Sequence, residues 1–224
     1  MGLIRLAKLV SPYCIGMEGN ISGKFNTHLG KALDGFQIKC SGVRLSDACQ
    51  ASDYVCISMS GEQIDNFTRR GSIEMELHRL IYNRFPDIKF IAHTHPVNTL
   101  KILCSFNNIL DTFAENRLYP EQVIFNGASS IVVPYACPGP KLASEVEIAI
   151  KHCKTYPKLI LLKNHGIVAC GKTVDECVAI TETCEKSAEV FGGYNISGIK
   201  FLSEEAVREL LDNEQEKYRL DQLK

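Results

Sequence analysis

Apolar and polar positions along the chain switch several times between a period of two and a period near four. Residues 3–10 (LIRLAKLV) read as a short helix ended by Ser11-Pro12. Three stretches, ISGKF (21–25), FQIKC (36–40) and YVCIS (54–58), read as strands separated by Gly-rich turns. A helix is expected just after Gly71-Ser72, with Leu77, Leu80, Ile81 and Arg84 on one face and Pro86 closing it. The apolar run IKFIAH then reads as a buried strand, followed by a helix through about 97–105 and a strand at 131–133. Pro138-Gly139-Pro140 makes a turn that opens a helix ending near Cys153. LILLK (159–163) and IVA (167–169) flank Asn164-His165-Gly166 and predict a hairpin. Thr173-Val174-Asp175-Glu176 fits a capping box, with an amphipathic helix from there to about Phe191. Ser203-Glu204-Glu205 caps a last helix over 203–224, whose charged end reads as a solvated face. These elements sum to an α/β fold, a mixed and mainly antiparallel sheet with helices on its faces. No linker, repeat or long charge block divides the chain, so residues 1–224 read as a single domain.

Composition narrows the classes. With 45% apolar and 23% charged residues, the chain is neither disordered nor low in complexity. Its 25 basic and 26 acidic residues leave no basic excess for a nucleic-acid partner. No apolar run reaches the roughly 18 residues of a membrane span, and no small-residue cleavage site follows the N-terminal MGLIRLAKLV. Ten cysteines form no C-x-x-C pair and lie mostly in apolar runs such as YVCIS and ILCSF. They read as small hydrophobes of a reducing compartment, and with the missing signal they point to the cytoplasm.

Candidate chemistry begins with His93 and His95, which follow an apolar strand and stand two apart, on one face of an extended chain. His165, in its tight turn between two other predicted strands, can reach the same point. Three histidines with one open position form a catalytic zinc arrangement. A lone H-x-H has a plain structural reading too, as do His78 and His152 on predicted helices; His28 has no special context. Glu74 falls at the start of the helix after Gly71-Ser72, where the helix end favours an anion. It is either N-terminal decoration or a general acid/base beside a metal. Glu76 points elsewhere on that helix. The turns Gly19-Asn20-Ile21-Ser22 and Ser41-Gly42, with the Ser72 hydroxyl, offer donors to an anion, or are simply turns.

Taken in order, GNISGK, IKCSG, RRGSIEMELH, IAHTHPVN, VPYACPG and KNHGIVACG resemble the class II aldolase/adducin family from about residue 5 to residue 191. The resemblance implies an α/β/α sandwich with a central, mainly antiparallel sheet, and homotetramers with sites at subunit interfaces. It implies that His93, His95 and His165 bind zinc and that Glu74 is the acid/base. It further implies that Asn20, Ser41, Gly42 and Ser72 hold the substrate's phosphate. In the fuculose-phosphate aldolases a second Ser precedes the catalytic Glu; here that position is Ile73, one hydroxyl fewer. The N-terminal segment and the R-x-S-I-E pattern look more like a less-characterised aldolase branch, which also supplies the aldolase part of aldolase–dehydrogenase fusions; no dehydrogenase part is read in these residues.

The activity implied first is reversible retro-aldol cleavage of a ketose or ketose phosphate, a small-molecule substrate. The pentulose-phosphate 4-epimerases are similar in the H-T-H but carry Asp where this chain has Glu74. The methylthioribulose-phosphate dehydratases take their acid/base from a segment where Glu115 and Glu121 lie here. Adducin heads, non-catalytic interaction modules, lack the metal histidines that this chain retains. The aldolases' assisting Tyr from a neighbouring subunit has no clear match here: Tyr119 is only near in sequence, and Tyr218 lies on a C-terminal helix that is loosely similar to theirs.

Overall fold

Residues 2–28, 31–65, 67–193 and 198–223 are described by a computed structural model, the side chains of His28, Lys31 and Ala32 lying outside the described set. Seven strands form one sheet: β1 (Asn20–His28), β2 (Lys31–Lys39), β3 (Tyr54–Ser58), β4 (Phe90–Thr94), β5 (Ile131–Val133), β6 (Leu159–Leu162) and β7 (Gly166–Gly171). Their order is β3-β2-β1-β4-β7-β6-β5. Every pairing is antiparallel except β5 with β6.

Successive strand residues enter opposite layers, as the pleat requires. In β7, Ile167 and Ala169 join one apolar cluster and Val168 and Cys170 the other; in β4, Ala92 and Ile91 divide the same way. Helices cover both faces, so β6 and β7 are buried at every position instead of alternating. One layer holds α1 (Gly2–Val10), α3 (Val97–Leu103), α4 (Asn107–Glu115) and α7 (Val174–Gly192). The other holds α2 (Met75–Arg84) and α6 (Pro140–Ile150), through Leu77, Ile81, Leu142 and Val146. The ten cysteines are all free; five are buried, and Cys49, Cys104 and Cys137 are exposed.

The predicted elements are present, and two further α-helices appear, the first of them built on Leu110, Phe113 and Ala114 at helical spacing. One is α4; the other is α5 (Pro120–Asn126), whose buried side includes Gln122 and Asn126. Gln122 accepts from Leu118 N at 2.7 Å, and Asn126 donates to the Ile180 carbonyl at 2.9 Å. On this seven-residue helix the two polar groups share the inner face with Val123 and Ile124, which leaves only a short hydrophobic stripe to read. The C-terminal helix is divided into α8 (Glu204–Asp212) and α9 (Glu214–Asp221). Asn213 leaves helical geometry at the break and caps α9, accepting from Gln215 N at 2.8 Å. Among the described residues no helix is long and apolar enough to cross a membrane.

The helix that follows the H-T-H segment is fixed from outside. Pro96, at the start of α3, offers no side-chain cap. Glu185 of α7 replaces it, accepting from Asn98 N, Thr99 N and Thr99 Oγ1, each at 2.9 Å, and from Asn98 Nδ2 at 3.0 Å. Glu185→Ala is therefore expected to cost about 1–3 kcal/mol, the range for leaving buried donors unpaired. At roughly 2–4 °C per kcal/mol for a chain this size, a thermal melt reads the loss. An unchanged melting temperature contradicts this role.

Candidate metal centre

The site lies where β1, β4 and β7 end together beside the start of α2. Strand register places Asn20 opposite His93, and His93 opposite Val168 of β7. His93 shares its face with Ile91, the face covered by α2. His95 sits one residue past β4, where its backbone N–H donates to the Tyr13 carbonyl at 3.0 Å. His165 occupies the turn between β6 and β7. There Asn164 adopts φ 54° and donates to the last carbonyl of α3, that of Leu103, at 3.0 Å. A Cβ on Gly166 would stand 2.5 Å from both the Thr94 carbonyl oxygen and His95 Cδ2, so the turn approaches β4 this closely only with glycine.

The three imidazoles face one another with ring centres 4.8, 4.9 and 5.0 Å apart. One nitrogen from each lies within 4.8 Å of the others. His93 Nδ1 is 2.8 Å from the Ile167 carbonyl, which can only accept. That nitrogen therefore carries a proton and Nε2 faces the cluster; burial lowers the ring's pKa, but Glu74 beside it outweighs burial and raises the value above the ordinary one. His95 Nε2 lies 3.0 Å from His93 Nε2. Burial, reinforced by the neighbouring histidines, lowers the pKa of His95 to about 3 and that of His165 to about 4. Both are neutral at pH 7, the form that ligates metal.

Glu74 stands one residue before α2, its backbone N–H 3.3 Å from Ser72 Oγ. Its Oε2 accepts from Asn20 Nδ2 at 2.9 Å and lies 3.1 Å from His93 Nε2; its Oε1 lies 3.3 Å from His165 Nε2. Burial pushes this carboxyl's pKa up, but His93 and His165 outweigh it and hold it below the usual carboxylate range. One turn further along α2, His78 is fully buried and holds Ser22 Oγ at 2.6 Å; Ser22 also meets Tyr82 at 2.8 Å. Burial lowers the His78 pKa to about 3, so its ring is neutral and packs behind Glu74.

Asn20, Ser41, Gly42, Ser72, Glu74, His95 and His165 line one cleft of about 360 Å³, with His93 buried behind them. The sequence singled out all eight, and the fold brings them together. Ile73, at the position of the missing hydroxyl, is an exposed apolar side chain at the same rim. Tyr119 is elsewhere, bonded to Ser187 Oγ at 2.9 Å, and Glu121 lies 3.7 Å from Arg219. Neither these two nor Glu115 and Tyr218 line the cleft. Two lining residues carry no signal in spacing. Glu18 places Oε2 3.7 Å from His95 Nδ1, and Lys39 is buried at the cleft wall.

These residues fit a divalent cation. Imidazole lone pairs directed at one another repel unless a proton or a cation lies between them. Glu74 Oε1 and His165 Nδ1 are buried without a hydrogen-bond partner, as expected of a cluster completed by a ligand. Three imidazoles beside a carboxylate suit zinc and several other divalent ions.

Residues 11–191 match the family described as the class II aldolase and adducin N-terminal domain. The chain is 29% identical over 205 residues to a 3-oxo-tetronate 4-phosphate decarboxylase of Haemophilus influenzae, covering 88% of each chain. It is 32% identical over 183 residues to an L-fuculose phosphate aldolase of Methanocaldococcus jannaschii, covering 80% of this chain and 86% of that one. A solved L-fuculose 1-phosphate aldolase shares the fold with a TM-score of 0.77 at 22% identity, over 97% of this chain and 94% of that one. With its mainly antiparallel sheet, its helical layers and a three-histidine cluster able to hold a metal ion, this chain belongs to the class II aldolase and adducin family.

Proposed function

We propose that the chain is a zinc-dependent lyase that cleaves a ketose or ketose phosphate by a reversible retro-aldol reaction. The observation that carries this reading is the convergence of three imidazoles on one point with the Glu74 carboxylate 3.1 and 3.3 Å from two of them. In this reading His93, His95 and His165 hold the ion, which supplies a Lewis acid for the substrate's carbonyl.

The remaining work falls to the chain's own groups. Cleavage of the C–C bond leaves an electron pair on the donor carbon that a proton must quench, and Glu74 carries that proton. Its carboxylate form is favoured by the flanking histidines, so in the condensation direction it takes this proton from the donor carbon, and in cleavage it returns to that carbon the proton released by the hydroxyl that becomes the aldehyde; Asn20 fixes its rotamer through the 2.9 Å bond. Asn20, Ser41, Gly42 and Ser72 hold the far end of the substrate along the cleft wall. A homotetramer with sites at subunit interfaces is carried over from the family alone; Met17 and Ile73 are exposed apolar side chains at the rim that such a neighbour would cover. A cytoplasmic location completes the reading.

A second reading, favoured by the relative from Haemophilus influenzae, is decarboxylation of a 3-oxo sugar acid phosphate. The two reactions share their central demand. Each breaks a C–C bond whose electrons flow towards a polarised carbonyl, and each needs one proton returned to carbon. They differ in the electrophile that leaves, an aldehyde or carbon dioxide.

Glu74→Gln is expected to retain metal and to lose at least about 100-fold in the exchange of a dihydroxyacetone phosphate carbon-bound proton with deuterium oxide. Full exchange by this variant contradicts the assignment. Glu121→Ala is expected to leave lyase activity unchanged, because Glu121 faces Arg219 outside the cleft. Loss of activity in that variant, assayed beside the wild type, points instead to a dehydratase-like acid/base.

A further inference from the structure

Each imidazole of the cluster has a different group at its back. His93 Nδ1 donates to the Ile167 carbonyl, and His165 Nδ1 is buried with no hydrogen-bond partner among the described residues. His95 turns Nε2 to the cluster, 3.0 Å from His93 Nε2, and Nδ1 towards a carboxylate, Glu18 Oε2 at 3.7 Å. That separation is too long for a direct hydrogen bond and well within reach of a charge interaction. Neither reaction considered above uses Glu18.

The placement of Glu18 is built into the backbone. Its Oε2 accepts from Ile15 N at 2.9 Å, and its own N–H donates to the Ile15 carbonyl at 3.3 Å, which closes residues 15–18 into a turn. The turn is tied to the H-T-H segment on both sides. Before it, the Tyr13 carbonyl accepts from His95 N at 3.0 Å. After it, Gly19 adopts φ 66°, and a Cβ there would stand 2.6 Å from the His93 carbonyl oxygen. The segment that carries the carboxylate and the segment that carries the ring are therefore held against each other.

A neutral imidazole has one N–H. When Nε2 gives its lone pair to a cation, that proton sits on Nδ1, where it faces Glu18. The carboxylate favours this tautomer over the one with the proton on Nε2, which has no lone pair to give there. It also raises the basicity of the ring and adds a negative charge near the ion. We propose that Glu18 is a positioning residue for the metal ion, holding His95 in the Nδ1–H tautomer with Nε2 free to ligate. Its side chain is 43% exposed, so the pair adds little to folding stability and its effect falls on metal affinity. The inference rests on the reading above for the presence of the ion and not for the bond that is broken.

The test is the zinc dissociation constant of the full-length chain, measured by competition with a chromogenic chelator. Glu18→Gln removes the charge and keeps an oxygen for Ile15 N. It is expected to weaken zinc binding about 10-fold or more, the scale for groups behind a ligating histidine, and Glu18→Ala to weaken it at least as much. With cobalt in place of zinc, the visible absorption band of Glu18→Gln is expected to shift, because the donor strength of one ligand has changed. The melting temperature of the metal-free Glu18→Gln chain should stay within about 2 °C of wild type. Glu121→Ala, which removes a carboxylate outside the cleft, should keep wild-type affinity. Unchanged zinc affinity in both Glu18 variants, or an unshifted cobalt band, overturns the assignment. So does an equal loss in Glu121→Ala, the mark of net charge, or a loss that comes with a fall in the metal-free melting temperature, the mark of a damaged turn. These outcomes leave the metal reading standing. A wild type that binds no zinc overturns both.

Discussion

The geometry of this protein turns on holding three imidazoles and a carboxylate together in a buried place where, left to themselves, they would not stay. Rings with facing lone pairs gain nothing from one another, and a buried carboxylate loses its hydration. The backbone forces the arrangement. The Ile167 carbonyl fixes the tautomer and direction of His93. Gly166 lets the His165 turn approach β4. The register of β1 on β4 sets Asn20 opposite His93, from where it holds Glu74. The first two constraints belong to the pairing of β4 with β7 and the third to that of β1 with β4, so the cluster depends on both.

The sheet in turn depends on having both faces covered. Ile91 and His93 face the same layer, so the face that receives α2 also receives the first histidine. A helix starting there brings Glu74 over the ring at its first turn and His78 one turn later. On the opposite face, Glu185 of α7 fixes the helix that leaves the H-T-H segment, and the end of that helix accepts the hydrogen bond of Asn164 in the His165 turn. Packing on one face thus positions the acid/base, and packing on the other positions the turn that bears the third histidine.

Much of this was legible in the residues, for particular physical reasons. A period of two is a strong constraint on a strand, so the shared face of His93 and His95 follows from spacing. The Asn-His-Gly turn between two apolar runs is a short-range signal that survives folding. The Gly-Ser turn before a helical pattern marks Glu74 to within one residue. That Asn20, Ser41, Gly42 and Ser72 converge was legible only through the family resemblance, because their convergence is set by strand register across more than fifty positions of sequence. Lys39 and Glu18 were not legible at all: a long charged side chain gives no sign of whether it is solvated or folded back into a wall. The helix α5 was hidden for a related reason, since Gln122 and Asn126 do on its inner face what apolar residues do elsewhere.

All of these constraints make sense together if an ion joins the imidazoles. The most direct measurement is the metal content of the purified full-length chain by mass spectrometry, beside that of His93→Ala. About one zinc per chain, lost in the variant, is the result this account predicts. A wild-type chain that holds no divalent metal even after loading with zinc contradicts it, and leaves the scaffold as an interaction module of the adducin kind.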